Sequence, residues 1–245
     1  MNFITLDFGN THAHAAFFRQ GELKEFGLAS EVSAWLKKHD LTVGEVQGIL
    51  SQVKTHESVS ADLEQQGLII ERVKDYWRGQ KFAGMSVNYA TTLGEDRLIQ
   101  AYWAHKNLPG ATLLLDAGTF FTLDVVSNGF EGGYILPGLK LLNEDLNAGE
   151  QLSQTHFGEL SRDLLTVQDL PHDTKTALTG TAIAYGALIQ KTLIRYAPAQ
   201  VVVSGGDSAI VASWLKILAP SLPLQLRPDL VHWALLDWYQ RNIHV

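Results

Sequence analysis

Apolar residues in this chain gather in short runs that end in an acid, a glycine or a small polar residue. The first of these, Phe3, Ile4 and Leu6, reads as a buried strand that ends at Asp7, and residues 5–18 spell TLDFGNTHAHAAFF. A Gly9-Asn10-Thr11 turn and a returning strand through residues 12–19 complete a hairpin, and Gln20-Gly21 turns the chain into a third strand at 23–28. Ser30 is placed to cap a short helix holding Ala34, Trp35 and Leu36. A strand at 46–50, a polar helix at 57–65 and a strand at 68–73 follow. The predicted order of this half is β, β, β, α, β, α, β. Residues 75–91 have no clear period, and Trp77, Phe82, Met85 and Tyr89 there suit a loop or the wall of a pocket.

A helix is expected from Thr92-Leu93-Gly94-Glu95-Asp96-Arg97 onward, because Thr92 and Glu95 have capping-box spacing and Leu98, Ala101, Tyr102 and His105 follow at helical intervals. Pro109-Gly110 reads as a hinge, which gives domains 1–108 and 109–245. Beyond it the opening design returns: Leu113 to Leu115 lead to Asp116, and after Gly118 the stretch Thr119 to Val126 returns with Thr122 and Asp124. Asp7-x-Gly9 and Asp116-x-Gly118 lie 116 − 7 = 109 residues apart. An internal repeat of that kind predicts two similar domains whose acidic turns face one cleft. Gly132-Gly133 and Pro137-Gly138 follow the second hairpin. A helix is expected at 176–195, with Thr179, Ala182, Ile183 and Gly186 on one side. The strand 201–203 then leads through Ser204-Gly205-Gly206-Asp207 into another helix, and an apolar final helix spans 229–240.

Each chemical reading has a plain alternative. A strand-end carboxylate followed by Gly, Asn and Thr suits a magnesium-bound polyphosphate, and it also suits an ordinary hairpin. Asp96 in a first helical turn is favoured by the helix dipole alone, yet beside Arg97 it is also a candidate base next to an anion-binding guanidinium. Gly205-Gly206 at a helix start can receive a phosphate or nucleotide, or merely turn the chain. Small residues beside Thr179 favour close helix packing.

Composition narrows the classes. The 245 residues are 46% hydrophobic and 18% charged, a globular balance, and a net charge of −7 argues against general nucleic-acid binding. Without cysteine there is neither a disulfide framework nor thiolate chemistry. The N-terminus lacks a basic leader pattern. The uncharged run 176–190, 190 − 176 + 1 = 15 residues, falls short of the roughly 18 needed to span a bilayer, so a cytoplasmic location is expected. No Walker-type phosphate loop is present; His56-Glu57 has no second histidine at zinc-protease spacing; and Ser204 lacks the glycine a nucleophile elbow requires.

Taken in order, Asp7-x-Gly9-Asn10-Thr11, Gly94-x-Asp96-Arg97, Asp116-x-Gly118-Thr119-x-x-Thr122-x-Asp124, Gly132-Gly133-x-Ile135-x-Pro137-Gly138, Thr179-x-x-Ala182-x-x-x-Gly186 and Gly205-Gly206 resemble the type III pantothenate kinases. The resemblance implies an α/β protein of two ribonuclease-H-like (actin-like ATPase) domains, with mixed five-stranded sheets flanked by helices. It implies phosphorylation of pantothenate by ATP, the first step towards coenzyme A, by a cytoplasmic homodimer. By the same resemblance Asp96 is the general base, and Gly94, Arg97 and Tyr89 bind pantothenate with Thr179 reaching in from the partner subunit. Asp7, Gly9, Asn10 and Thr11 would hold Mg²⁺-ATP, with Gly118, Thr119, Gly205 and Gly206 from the other half. Asp116 would help bind K⁺ or NH₄⁺. His14 stands where a lysine is frequent in the family. A kinase for another small hydroxylated metabolite, or a non-catalytic nucleotide-binding regulator, are the alternatives; retention of Asp96 argues against the regulator.

Overall fold

The computed structural model describes residues 1–53, 57–147, 170–173, 177 and 179–243. By its internal contacts the chain divides into two units, Met1–Asn107 with Asp229–Val245, and Leu108–Pro228. The division between Asn107 and Leu108 lies next to Pro109-Gly110 in sequence. The final segment, assigned from sequence to the second half, packs with the first.

Unit 1 is built on a sheet in the order β3-β2-β1-β4-β5. β1 (Asn2–Phe8) pairs antiparallel with β2 (Ala13–Arg19), which pairs antiparallel with β3 (Glu22–Leu28). On its other side β1 runs parallel to β4 (Gln47–Gln52), which runs parallel to β5 (Ile69–Arg72). Gln20 and Gly21 both take positive φ, 57° and 82°, as a tight hairpin turn with the twist of its strands requires. β1 is apolar on both faces because both are covered, so it reads as a continuous run rather than an alternation. Ile4, Leu6 and Phe8 join Trp35 and Leu36 of α1 (Val32–Lys38) and Leu63 of α2 (Glu57–Gln65) in one core cluster. On the opposite face, Phe3 meets Tyr239 at 4.4 Å between ring centroids, and Phe18 meets Trp233 at 5.0 Å. Both partners lie on the last helix, α7 (Leu230–Asn242), which packs beside α3 (Glu95–Asn107).

Residues 77–87 add what the sequence did not reveal: β6 (Trp77–Arg78), β7 (Lys81–Phe82) and β8 (Met85–Val87), a short antiparallel meander. Phe82 and Met85 are fully buried there, so they serve the core and do not line a pocket. Trp238 of α7 stacks on Phe82 at 5.7 Å. Ser30, the expected cap of α1, lies instead in a 3₁₀ turn (Ala29–Glu31), and it is the Glu31 carboxylate that takes the Leu28 N–H at 2.8 Å.

Unit 2 repeats the plan. Its strands run in the order β13-β12-β9-β10-β11. β9 (Thr112–Ala117) is antiparallel to β10 (Phe120–Val126), β10 is antiparallel to β11 (Gly129–Pro137), and β9 is parallel to β12 (Gln200–Ser204), itself parallel to β13 (Leu224–Leu226). With β9 standing for β1 and β12 for β4, the pairing pattern of unit 1 is reproduced. Leu113, Leu115, Phe121, Leu123 and Val203 form the core with Ala182, Tyr185 and Ile189 of α5 (Thr179–Tyr196) and Trp214 of α6 (Ser208–Leu218). A further helix, α4 (Leu139–Asn147), follows β11. On α5 the buried stripe is Ala182, Tyr185, Gly186 and Ile189, whereas Ile183, expected on that side, is 43% exposed.

Candidate functional site

In unit 1 the first polar group to emerge from the sheet is Asp7, the penultimate residue of β1. It pairs in register with His14 on β2 and with the buried Ser51 on β4. The Gly9-Asn10-Thr11 turn beyond it is closed by the Gly9 N–H donating to the His12 carbonyl at 3.1 Å, and it leaves Asn10 and Thr11 exposed. Gly9 does not adopt positive φ, and a Cβ there would stand 3.6 Å from the nearest atom, an ordinary contact. Neither backbone conformation nor crowding therefore requires a glycine here.

Residues 94–97 form the second element. Gly94 precedes α3, and the Asp96 carboxylate folds back so closely over it that any Cβ at Gly94 would collide with Oδ1. Arg97 is buried, and its guanidinium carbon lies 5.4 Å from the centroid of the Tyr89 ring, a cation–π distance. Tyr89, Gly94, Asp96 and Arg97 thus share the start of one helix. The same Cβ position on Gly94 is 3.7 Å from Val53 Cγ2, and the Val53 N–H donates to the Phe8 carbonyl at 2.9 Å. Val53, hydrogen-bonded to the end of β1, therefore lies beside the helix start bearing Asp96.

Glu95 departs from the sequence reading. Its carboxylate does not close a capping box with Thr92; Oε2 accepts the Gln52 N–H at 3.2 Å, and the Lys74 backbone also donates to this side chain. Burial pushes its pKa up to about 7 against the pull of these donors. Sequence inspection also missed the buried pair Thr5 and His232, whose Oγ1 and Nδ1 are 2.7 Å apart. Desolvation, reinforced by His14, lowers His232 to about 3, so it is neutral. The histidine spacing in sequence carries no signal for this, since 227 residues separate the two partners.

In unit 2 Asp116 takes the place Asp7 has in unit 1, paired in register with Thr122 on β10 and the buried Ser204 on β12. By that register Asp116, Thr122 and Asp124 share the sheet face opposite the core residues Leu113 and Leu115. Glycines crowd around the carboxylate. Gly205, at φ +84°, leaves room where a Cβ would lie 2.6 Å from Asp116 Oδ1 and from the Ala117 carbonyl group. A Cβ on Gly118 would stand 3.6 Å from Asp116 Oδ1, and one on Gly138 would collide with the Gly118 and Thr119 carbonyl oxygens. The Gly138 N–H donates to Thr119 at 2.9 Å, and the Tyr185 hydroxyl holds the preceding Pro137 carbonyl at 2.6 Å. Gly206 is exposed, with no atom within 4 Å of a Cβ. Asp207 beside it is half-buried, its N–H bound to the Ala117 carbonyl at 3.0 Å, and burial raises its carboxyl pKa.

Gly118, Thr119, Gly138, Gly205 and Asp116 are therefore brought together, with Gly206 at the edge. The side chain of Thr179 lies outside the described residues; its backbone opens α5. An apolar recess of about 280 Å³ beside Leu193, Ile194, Leu218 and Leu222 contains none of the candidate residues. Among the described residues no helix is long and apolar enough to cross a membrane.

Two units with this shared strand order, each with an acid-ended first strand running into a glycine turn, define the fold of the two-domain actin-like and sugar-kinase ATPases. A Campylobacter jejuni protein assigned to the Baf family of transcriptional activators shares the fold with a TM-score of 0.63 at 16% identity, covering 99% of this chain and 100% of its own. A Sinorhizobium meliloti protein assigned as a 2-dehydro-3-deoxygalactonokinase gives a TM-score of 0.56 at 13% identity, over 98% of this chain and 99% of its own. Within that class the chain belongs to the type III pantothenate kinase family, whose model matches residues 3–195. A type III pantothenate kinase of Chromobacterium violaceum is 28% identical over 250 residues, 95% of this chain and 97% of that protein.

Proposed function

We propose that the protein transfers the γ-phosphoryl group of ATP to the primary hydroxyl of pantothenate, giving 4′-phosphopantothenate at the entry to coenzyme A synthesis. Membership of the family supports this activity. The observation that carries it to particular residues is the Asp96 carboxylate folded over Gly94, with Arg97 buried beside Tyr89. Asp96 accepts the hydroxyl proton as the new O–P bond forms and the bond to the β-phosphate oxygen breaks. Arg97 and the Gly94 backbone hold the substrate, the guanidinium matching its carboxylate. Phosphoryl transfer asks a protein mainly for positioning and charge neutralisation, and turns of this kind supply both.

Asp7, Gly9, Asn10 and Thr11 suit the metal-bearing phosphates: a strand-end carboxylate is followed at once by a tight turn that leaves Asn10 and Thr11 exposed. Gly118, Thr119, Gly205 and Gly206 suit the nucleotide, since they lie in two turns gathered at the Asp116 carboxylate, with Gly206 exposed and nothing within 4 Å of its Cβ position. Magnesium, when bound, offsets the charge of the phosphates, and Asp7 would hold it in company with their oxygens. Asp116, under the Gly118 and Gly205 turns, would hold K⁺ or NH₄⁺. The protein acts as a homodimer in the cytoplasm, with Thr179 of α5 reaching the neighbouring site; the exposed Ile183 on that helix supports the pairing.

The test is incubation of purified protein with ATP, Mg²⁺, K⁺ and pantothenate, with 4′-phosphopantothenate followed by mass spectrometry. Asp96→Asn is expected to lower kcat by at least about 100-fold while ATP binding stays within a few-fold. Turnover with another alcohol but not pantothenate would overturn the substrate, and an active Asp96→Asn variant would overturn the base.

A further inference from the structure

Two adjacent carboxylates open α3, and their surroundings differ. Asp96 is half-buried and lies over Gly94, whereas Glu95 is 8% exposed and directed into the protein. Glu95 Oε2 receives the N–H of Gln52, the last residue of β4, at 3.2 Å. The same carboxylate receives the backbone of Lys74, within the 3₁₀ turn that follows β5. One side chain therefore joins the first residue of α3 to two segments distant in sequence. Next to Gln52 stands Val53, whose N–H binds the Phe8 carbonyl at the end of β1 and whose side chain lies near Gly94.

A first-turn acid that merely favoured the helix dipole would sit in solvent. A buried carboxylate is retained at a desolvation cost, and here the cost falls at the residue preceding Asp96 and Arg97. We propose that Glu95 is a positioning residue: its carboxylate fixes the first turn of α3 against the ends of β4 and β1, and so sets Asp96 and Arg97 relative to the Asp7 turn. This rests on Asp96 being the base.

The geometry has a pH signature. An ionised carboxylate accepts amide hydrogen bonds about twice as strongly as a neutral acceptor. Burial, with a smaller push from Asp75, places the Glu95 transition at about 7, while the donors from Gln52 and Lys74 and the Lys74 charge act the other way. Burial outweighs the donors, so the docked position favours the protonated carboxyl: the hold on α3 is firm below neutrality and slackens as pH rises through about 7. Gln52 brings no charge from β4, and Asp96 is the neighbouring titratable group on α3 itself.

Steady-state kinetics of wild type, Glu95→Gln, Glu95→Ala and Asp96→Asn between pH 5.5 and 9 test the proposal. Glu95→Ala should lose about 10- to 100-fold in kcat, the range expected of a misplaced catalytic group, with a smaller change in KM for ATP. Glu95→Gln keeps an uncharged acceptor; it should recover most of kcat and lack the limb near pH 7 expected of wild type. A limb near pH 7 that persists in Glu95→Gln overturns the proposal, as does a Glu95→Ala enzyme with wild-type kcat and pH profile. Should Glu95→Ala fail to fold, the Glu95→Gln profile decides alone. An active Asp96→Asn enzyme would refute the base assignment instead, a result separate from either Glu95 outcome.

Discussion

The neighbouring glycines 205 and 206 allow the backbone argument for unit 2 to be tested by a matched pair of substitutions. At Gly205 an added methyl meets three atoms at 2.6 Å: the Ala117 carbonyl carbon, its oxygen, and Asp116 Oδ1. Two of these are backbone of β9, and β9 is pinned on both sides by β10 and β12. The turn itself is fixed, since the Gly205 N–H binds the Pro228 carbonyl at 3.1 Å and the Asp207 N–H binds Ala117 at 3.0 Å. Relief by a side-chain rotation is therefore closed off.

Gly205→Ala carries about 1–2 kcal/mol for placing a Cβ at left-handed φ and about 1–3 kcal/mol for overpacking. Alanine restricts the unfolded chain, which returns about 0.4–1 kcal/mol. The net expectation is a loss of about 1–5 kcal/mol. At about 2–4 °C per kcal/mol for a chain of this size, a central loss of about 3 kcal/mol lowers Tm by about 6–12 °C. Gly206→Ala meets no atom within 4 Å and no positive φ, so its stability should stay within about 0.5 kcal/mol of wild type or rise slightly. Urea and thermal unfolding of both variants, with calorimetric ATP binding alongside, make the comparison. Equal stabilities for Gly205→Ala and Gly206→Ala would refute the reasoning.

The first unit offers two further tests. His232 is buried and neutral, its pKa depressed from 6.5 to about 3; the fold favours the neutral base, so its contribution is complete above pH 6.5 and is lost as pH falls towards 3. Between pH 7 and 5 wild type should lose about 2 kcal/mol more than His232→Asn, and parallel urea midpoints for the two would exclude His232 as the source. Trp238→Ala removes a buried ring that stacks on Phe82 and meets Tyr76 at 4.8 Å, which should destabilise unit 1 by about 3–5 kcal/mol. Hydrogen exchange should then quicken in β1 and β4 before β9 and β12, and the opposite order would show that the final helix does not stabilise the first unit.

The order of elements in the first half was legible because runs such as Phe3 to Leu6 and turns such as Gln20-Gly21 are decided locally, by burial on two faces and by positive φ. The repeat was legible for the same reason: Asp7-x-Gly9 and Asp116-x-Gly118 each follow a run that can only be a covered strand. What depends on distant partners was not legible. The apolar positions of the last helix declare that it is buried, but its attachment to Phe3, Phe18 and Phe82 is a property of the folded sheet. Thr92 and Glu95 have the spacing of a capping box, and nothing local announces that the β4 amide at Gln52 competes for the same carboxylate and wins. Gly205 and Gly206 are alike in sequence; only the closeness of β9 makes one indispensable and the other free.

The repeated plan also shows how the two halves have parted. Each places an aspartate beside a buried serine on the parallel neighbour strand, Asp7 with Ser51 and Asp116 with Ser204. In unit 1 the residues after that serine turn inward: the Gln52 amide goes to Glu95 and the Val53 amide to Phe8, so the strand end supports the helix start that bears Asp96 and Arg97. In unit 2 the residues after the serine are Gly205 and Gly206, and the second leaves open space. Both strand ends hold backbone hydrogen bonds, the Gly205 N–H going to the Pro228 carbonyl; unit 1 adds the Glu95 carboxylate, which suits the holding of an acid and a guanidinium in fixed relation, whereas Gly206 stands exposed in unit 2, where a phosphate or nucleotide can approach the chain. The same β-strand scaffold thus supports the proposed division of labour, with acid–base positioning assigned to the first unit and nucleotide binding to the second.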